Sequence, residues 1–293
     1  MIIGIDGGYN NTKYVTDGYR NMFTSVISED VLGFNKSLQV IYNNKTYTVG
    51  TTGSFVANSN KIEDETFKIC MFAAIADSMK DSVDYSVKLI TGLPIAYYSK
   101  QKTALKESLL DEIVHMTITR NNKSDSKIFR ISDVVVFPQS AGVLLTRPEL
   151  FVGSGYVIVI DIGGFTTDIS LFKGKELVRY RTLQKGMLKL NGVLRNYLSS
   201  QGIDMSIFEV RELINSSENV GGFIDRAVVS DTCQKYVDSI INDILIEFSE
   251  YKYANKVFIG GGSSDLKQYL NQKIMDDCIY VNAEAFYKLG NVK

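Results

Sequence analysis

Apolar and polar residues alternate in short runs over the first part of the chain. Later they recur at three- and four-residue spacing between short apolar runs, which predicts strands first and strand–helix units afterwards. Strands are expected at 2–6, 12–16, 22–27, 38–42 and 45–49, with Asn43 and Asn44 in YNNKTY turning the last pair into a hairpin. EDETFKICMFAAIADSMK predicts an amphipathic helix. SVKLITGLP predicts a strand stopped by Gly92 and Pro94. YYSKQKTALKESLLDEI predicts a helix with Leu105, Leu109 and Leu110 on one face and charges on the other. SKIFRISDVVVFP is a strand leading into QSAGVLLTR, a helix begun by Gln139. Then come a strand in KELVRYRTLQKG, a helix in MLKLNGVLRNYLSSQG and a short helix in MSIFEVRELINS. FIDRAVVSDTCQKYVDSIINDILIEFSEY reads as a long helix, whole or broken. KVFIGGGSSDLKQYL reads as strand, Gly-rich turn and helix, with Ser263 or Ser264 as N-cap, and DCIYVNAEAFYKLG as a last strand and helix. This succession is that of an α/β protein.

One stretch breaks its own pattern. VIVIDIGGFTTDISLF begins as a buried strand, yet Asp161 places a carboxylate at its end, before Gly163, Gly164 and two threonines. A strand core has no use for an unpaired acid there. The stretch has a twin in IIGIDGGYNNTKY. With Asp6 set over Asp161, Gly8 falls on Gly163, Tyr9 on Gly164 and Thr12 on Thr167, while Lys13 meets Asp168. Both copies read as strand, tight turn, strand. Either copy alone reads as easily as a plain Gly-rich hairpin; an acid at the strand end of both argues for a shared use. The glycines let backbone approach a ligand, turn N–H groups make a concave site for phosphate oxygens, and threonine hydroxyls add donors. A carboxylate cannot face phosphate directly, because like charges repel. It can hold Mg²⁺ through waters while the metal bridges phosphate oxygens. On this reading Asp6 and Asp161 face a hydrated metal and Lys13 faces the phosphates.

Two further segments carry candidate chemistry. In FIGGGSSDL, three glycines between a buried strand and a helix let a flat ligand lie against bare backbone, while the Rossmann spacing G-x-G-x-x-G at an N-terminal strand is absent. In VVVFPQSAG, Gln139 follows a buried strand and Pro138. A glutamine is no base at neutral pH but orients a water; a plain helix-start role is the simpler alternative.

Composition narrows the function. The 293 residues are 45% hydrophobic and 22% charged, enough for about two domains and a sizeable core. A formal net charge of -1 leaves no basic field for direct nucleic-acid binding. Cys70, Cys233 and Cys278 are far apart and odd in number, which fits a reducing cytosol better than a disulfide framework or a metal site. The single histidine, His115, argues against a serine-type triad or a histidine metal site and reads as structural. No run approaches a membrane span and MIIGID does not read as a signal peptide, so a cytoplasmic location is expected.

IIGIDGGYNNTKY, VVVFPQSAG, VIVIDIGGFTTDISLF, KVFIGGGSSDL and VNAEAFYKLG stand in the order of five segments of the actin-like ATPase superfamily: phosphate-1, connect-1, phosphate-2, adenosine and connect-2. The chain resembles that superfamily over nearly its whole length. Within it, GLPIAYYSKQK, TLQKGMLKLNGVL and the compact length resemble the ParM-type plasmid-segregation actin-like proteins and their archaeal actin-like relatives. The resemblance implies the actin-like ATPase fold, two duplicated α/β domains around a nucleotide cleft. Residues 1–140 with 275–293 would form domain I and 141–274 domain II.

The resemblance also implies ATP, or GTP, with Mg²⁺. Asp6 and Asp161 then lie near the metal through water, and Lys13 contacts the β- and γ-phosphates. Backbone of Gly7, Gly8, Gly163 and Gly164 cradles the phosphates with Thr166 and Thr167, and Tyr9, Asn10, Thr12 and Phe165 complete the two nucleotide-binding turns. Gly261, Gly262 and Ser263 meet the adenosine, and Glu209, Arg211 or Glu212 flank the base or ribose. Gln139 positions the attacking water, so Gln139, Asp6 and Asp161 are the candidate catalytic residues. Two positions depart from the pattern: Tyr9 stands where many actins carry serine, and Gln139 where several bacterial members carry glutamate. The implied function is an ATPase that assembles head to tail into filaments and drives plasmid DNA segregation through a DNA-binding adaptor protein at a plasmid centromere. It needs neither direct nucleic-acid contact nor a membrane. The alternatives are a small-molecule kinase or phosphatase of the same fold, which needs a base that Gln139 does not supply, and a monomeric nucleotide switch.

Overall fold

A computed structural model of the chain describes residues 1–29, 38–51, 53–55, 61–215, 224–272 and 274–292. They divide into two compact units, Met1–Thr146 with Tyr280–Lys293, and Arg147–Ile279. In the first unit β1 (Ile2–Gly7), β2 (Asn11–Thr16) and β3 (Tyr19–Thr24) form an antiparallel meander. The strand expected at 22–27 is split. β3 ends at Thr24, and β4 (Val26–Ser28) joins another part of the sheet. Ser25 marks the division: its N–H still donates to Asn10 O at 2.9 Å, in register with the β2–β3 pairing, before the chain passes into β4. β5 (Leu38–Tyr42) and β6 (Lys45–Val49) are a hairpin, and its turn residues Asn43 and Asn44 take φ of 50° and 61°, the left-handed geometry that two-residue turns require. β7 (Ser54–Phe55) pairs with β4.

α1 (Glu65–Ser78) starts at Asp64, whose carboxylate accepts from the Phe67 N–H. It is not amphipathic as expected. Phe67, Ile69, Cys70, Met71, Phe72 and Ala73 to Ala76 are all buried, so every side of the helix is packed. β8 (Val83–Leu93) lies parallel to β1 and ends at Pro94, where α2 (Ile95–Leu109) begins. The helix expected to run through 113 stops at Leu109, and Asp111 takes a φ of 63°. β9 (Ile113–Arg120) follows, where the apolar pattern predicts no strand. It pairs with the long β10 (Lys123–Pro138) across Asn121 and Asn122, at φ of 50° and 60°. His115 stands exposed on β9. Gln139 does not begin a helix. Residues 139–142 form a turn in which Ser140 has a φ of 68°, and α3 (Val143–Thr146) is four residues long. The sheet order is β3-β2-β1-β8-β10-β9-β5-β6-β4-β7.

The second unit repeats the beginning of the first. β11 (Tyr156–Ile162), β12 (Thr167–Lys173) and β13 (Glu176–Leu183) are again a meander. α4 (Met187–Ser200), α5 (Ile207–Asn215) and α6 (Arg226–Glu247) intervene before β14 (Asn255–Ile259), which lies parallel to β11. The order β13-β12-β11-β14 matches β3-β2-β1-β8. Ile158, Ile160, Ile169 and Leu171 from the sheet pack with Leu190, Leu194, Val237 and Ile240 from α4 and α6. α6 is unbroken. α7 (Gly261–Asp265) is a single short turn whose N-cap residue is Gly260, not Ser263 or Ser264. Residues 276–280 are turn rather than the expected last strand.

The chain then returns to the first unit as α8 (Val281–Gly290), which crosses β1 and β8. The crossing needs bare backbone: a Cβ on Gly4 would lie 2.4 Å from Ala283 O and 2.3 Å from Tyr287 N. Cys70, Cys233 and Cys278 are buried, and burial pushes the Cys70 thiol up to about 12. Among the described residues no helix is long and apolar enough to cross a membrane.

Gly4→Ala should therefore lower stability by about 1–3 kcal/mol or more, since both atoms it meets are backbone. Gly192→Ala in α4, where nothing crowds the added methyl, should raise it by about 0.5–1 kcal/mol. Urea unfolding midpoints of the two variants should move in opposite directions.

Candidate functional site

The two hairpins singled out in the sequence share one construction. In the first, Asp6 lies opposite Lys13 and Gly7 opposite Thr12; in the second, Asp161 lies opposite Asp168 and Ile162 opposite Thr167. Each turn is closed by the same bond: Gly8 N–H donates to Asn11 O at 3.1 Å and Gly163 N–H to Thr166 O at 2.8 Å. A Cβ at Gly8 would lie 2.7 Å from Asn11 O and one at Gly163 3.1 Å from Thr166 O, so both glycines serve the turn itself. Gly7 has another reason: its Cβ would meet the Phe67 ring of α1 at 2.6 Å.

In the first unit the Asp6 carboxylate is buried between two donors. Lys13 Nζ donates to Oδ2 at 3.2 Å and Gln139 Nε2 to Oδ1 at 2.7 Å. Asp6, Lys13 and Gln139 are 3%, 7% and 7% exposed, so the ion pair is held largely out of water. Only the amide nitrogen of Gln139 can donate to a carboxylate, which leaves Oε1 as the acceptor at the other side of the group. Gln139 is placed by its own N–H on Leu93 O at 2.9 Å, and by Ser140, whose N–H donates to Asn282 Oδ1 of α8 at 3.3 Å. α8 approaches so closely that a Cβ on Gly142 would lie 2.6 Å from the Ala285 Cβ.

Tyr9 is buried, and Asn10 and Thr12 are buried beside it. The hydroxyl beside this turn comes instead from Ser25, which sequence reading missed. Its Oγ donates to Gly8 O at 2.7 Å and lies 2.9 Å from Thr12 Oγ1. The signal was present as the polar break within 22–27.

In the second unit Asp161, Thr166, Thr167 and Asp168 are buried, and Gly164 and Phe165 are half-buried. Gly163 O and Gly164 O accept the Met187 and Leu188 N–H groups at 3.0 and 2.8 Å, so the start of α4 docks onto the turn. Gly186 permits this, since its Cβ would lie 2.4 Å from Gly164 O. Thr167 Oγ1 donates to Lys185 O at 2.5 Å, and the Thr182 hydroxyl donates to Asp168 Oδ1. The Gly-rich segment after β14 meets the same hairpin. Gly260, at a φ of 88°, lies so close that a Cβ there would be 2.3 Å from Asp161 Oδ1. The next two glycines differ: a Cβ on Gly262 would meet Ile162, while Gly261 opens α7. Ser263 is fully buried and its Oγ donates to Ile259 O at 2.6 Å, so it offers no hydroxyl outward.

The acids on α5 have separate uses. Glu209 closes a capping box, accepting the Ser206 N–H at 2.7 Å while its own N–H donates to Ser206 Oγ at 3.3 Å. The Ser206 backbone bond holds its carboxyl below the ordinary value. Glu212 is exposed. Arg211 instead pairs with Asp265 of α7 at 2.8 Å, tying α5 to the Gly-rich segment.

Within neither unit do the described residues gather three acidic, imidazole or thiol groups that could hold a metal.

One stretch of the chain matches a known family. Residues 4–142 match the one described as "Actin like proteins N terminal domain". The whole chain is similar to the crystal structure of Ta0583, an archaeal actin homolog, in complex with ADP, at 20% identity, covering 98% of each chain with a TM-score of 0.81. It is also similar to a 15-stranded ParM filament from Clostridium botulinum, at 24% identity, covering 99% of this chain and 98% of that one with a TM-score of 0.83. The crystal structure of the actin-like protein Alp7A gives 14% identity, 99% and 95% coverage and a TM-score of 0.76. No curated protein sequence matches. These likenesses establish the actin-like fold.

Removing the cation from the buried pair should be costly. Lys13→Met should destabilise the protein by about 3–5 kcal/mol. Asp6→Asn in the same background should restore part of that loss, and a double-mutant cycle by urea unfolding measures the coupling.

Proposed function

We propose that this chain, an actin-like protein by its fold, is a nucleotide-dependent filament-forming ATPase that drives plasmid DNA segregation through an adaptor protein. The observation that carries the reading is the buried Asp6 carboxylate held by Lys13 and Gln139 at the end of a hairpin whose twin ends in Asp161. Turn backbone at Gly7, Gly8, Gly163 and Gly164, with Asn10, Thr12, Thr166 and Thr167, cradles the phosphates of ATP or GTP; Tyr9 and Phe165 shape the turns. Lys13 neutralises the β- and γ-phosphates as they arrive, exchanging part of its bond to Asp6 for them. Asp6 and Asp161 would hold the waters of a Mg²⁺ ion, which would supply charge neutralisation at the phosphate oxygens. Gln139, its amide nitrogen pinned by Asp6, turns Oε1 toward the attacking water and orients it without taking its proton. The backbone of Gly261, Gly262 and Ser263 meets the adenosine, and Glu209 or Glu212 of α5 flanks the base or ribose. Glu212 is the acid of that pair not engaged in its own helix cap.

With no base at Gln139, hydrolysis is slow in the single subunit and the triphosphate state persists long enough to assemble. Head-to-tail contacts do not close on themselves, so they propagate as a filament, and hydrolysis weakens them. A near-neutral surface, at a formal net charge of -1, leaves DNA to the adaptor. The ParM filament similar to this chain supports the assembly, and the ADP complex of the archaeal homologue supports the nucleotide.

Sedimentation over a concentration series with Mg²⁺ should show pelleting above a critical concentration only with triphosphate. Protein that stays in the supernatant with ATP, GTP and a non-hydrolysable analogue alike sinks the filament reading. Lys13→Ala should abolish nucleotide-dependent pelleting. Gln139→Ala should keep pelleting while slowing phosphate release by about 10–100-fold.

A further inference from the structure

VNAEAFYKLG, which forms α8, takes no part in the proposed nucleotide contacts. One of its residues nevertheless reaches the turn that carries Gln139. Asn282 is buried, and its Oδ1 accepts the Ser140 N–H at 3.3 Å. α8 is held at that spot by bare backbone on two sides. A Cβ on Gly4 would lie 2.4 Å from Ala283 O, and one on Gly142 would lie 2.6 Å from the Ala285 Cβ and 3.7 Å from Asn282 Oδ1. The acceptor is therefore placed by the packing of a whole helix against β1 and the turn.

The peptide it holds does not keep its shape alone. Ser140 takes a φ of 68°, a left-handed conformation that a residue with a Cβ adopts when its surroundings impose it. Ser140 is fully buried, so bulk water has no access to replace the Asn282 oxygen. The N–H in question belongs to the planar peptide that joins Gln139 to Ser140, and the direction of that plane follows ψ of Gln139 and φ of Ser140. Gln139 is thus held at three points. Its own N–H donates to Leu93 O at 2.9 Å, its Nε2 to Asp6 Oδ1 at 2.7 Å, and the peptide after it to Asn282. The third point settles how the Gln139 side chain leaves the backbone.

We propose that Asn282 is a positioning residue for hydrolysis: by holding the Gln139–Ser140 peptide it aims Gln139 Oε1 at the attacking water, and so sets turnover without changing nucleotide affinity. The inference rests on the reading of Gln139 as the group that orients that water.

Asn282→Leu keeps the side-chain volume and removes the acceptor, Asn282→Ala removes the acceptor without bulk, and Asn282→Asp keeps an oxygen in place. In the nucleotide-free protein, hydrogen exchange at the Ser140 amide should be slow in wild type and in Asn282→Asp, and about tenfold faster in Asn282→Leu and Asn282→Ala. With ATP and Mg²⁺, the leucine and alanine variants should lose about tenfold in kcat at an unchanged KM, while Asn282→Asp keeps most of the wild-type rate. Fast exchange at Ser140 in wild type, or equal exchange with and without the acceptor, overturns the proposal without any appeal to nucleotide. A leucine or alanine variant that turns over at the wild-type rate also overturns it. So does a rise in KM in step with the fall in kcat, or an aspartate variant as slow as the leucine one. A wild-type protein that hydrolyses neither ATP nor GTP overturns the nucleotide reading itself and the proposal with it, whatever the Ser140 amide shows.

Discussion

A carboxylate taken out of water has to be compensated, and Asp6 shows how much of the first unit that requirement organises. Its two oxygens are met by a lysine from β2 and by an amide from the turn after β10. For both donors to reach it, β1, β2 and β10 must end together, and β8, between β1 and β10, fixes that alignment. α8 then fastens the turn through Asn282 and covers β1 where only glycine fits. Loss of Lys13 would leave the buried charge with only the Gln139 amide, which is far more costly than never burying the pair.

The second unit uses the same frame with a different closure. Where Lys13 stands in the first hairpin, Asp168 stands in the second, held by the Thr182 hydroxyl. The backbone around Asp161 is shaped by two close approaches, Gly260 against its carboxylate and Gly186 against Gly164 O. The first brings the Gly-rich segment to the strand end, and the second brings the start of α4. A duplicated hairpin thus carries unlike charge in its two copies, a cation beside the acid in one and a second acid in the other.

Much of this was legible in the amino-acid order. The apolar runs and their spacing mark most strands, the paired asparagines mark the β5–β6 hairpin, and the recurrence of an acid before a Gly-rich turn marks the duplication. The failures have physical causes. α1 reads as amphipathic because Lys68 and Asp77 interrupt its apolar positions, yet its remaining side chains are packed on all sides. The stretch Ile113–Arg120 alternates weakly, and the helical periodicity before it hid where α2 ends. Ser263 looks like a cap, but the left-handed geometry at Gly260 starts the turn earlier and folds the hydroxyl onto Ile259 O. Glu209 looks like a ligand contact, while its spacing from Ser206 makes it a capping-box partner.

By itself the sequence determined the class of fold, the pair of hairpins and the residue types at their ends, because those follow from local periodicity, turn chemistry and a repeat. Which groups meet was decided only in three dimensions. Nothing local places Gln139 on Asp6, 133 residues away, or Ser25 beside Gly8, or Gly260 against Asp161. Those contacts depend on strand order and on how closely two backbones approach. Both are settled by the packing of whole elements, which residue spacing along the chain does not record.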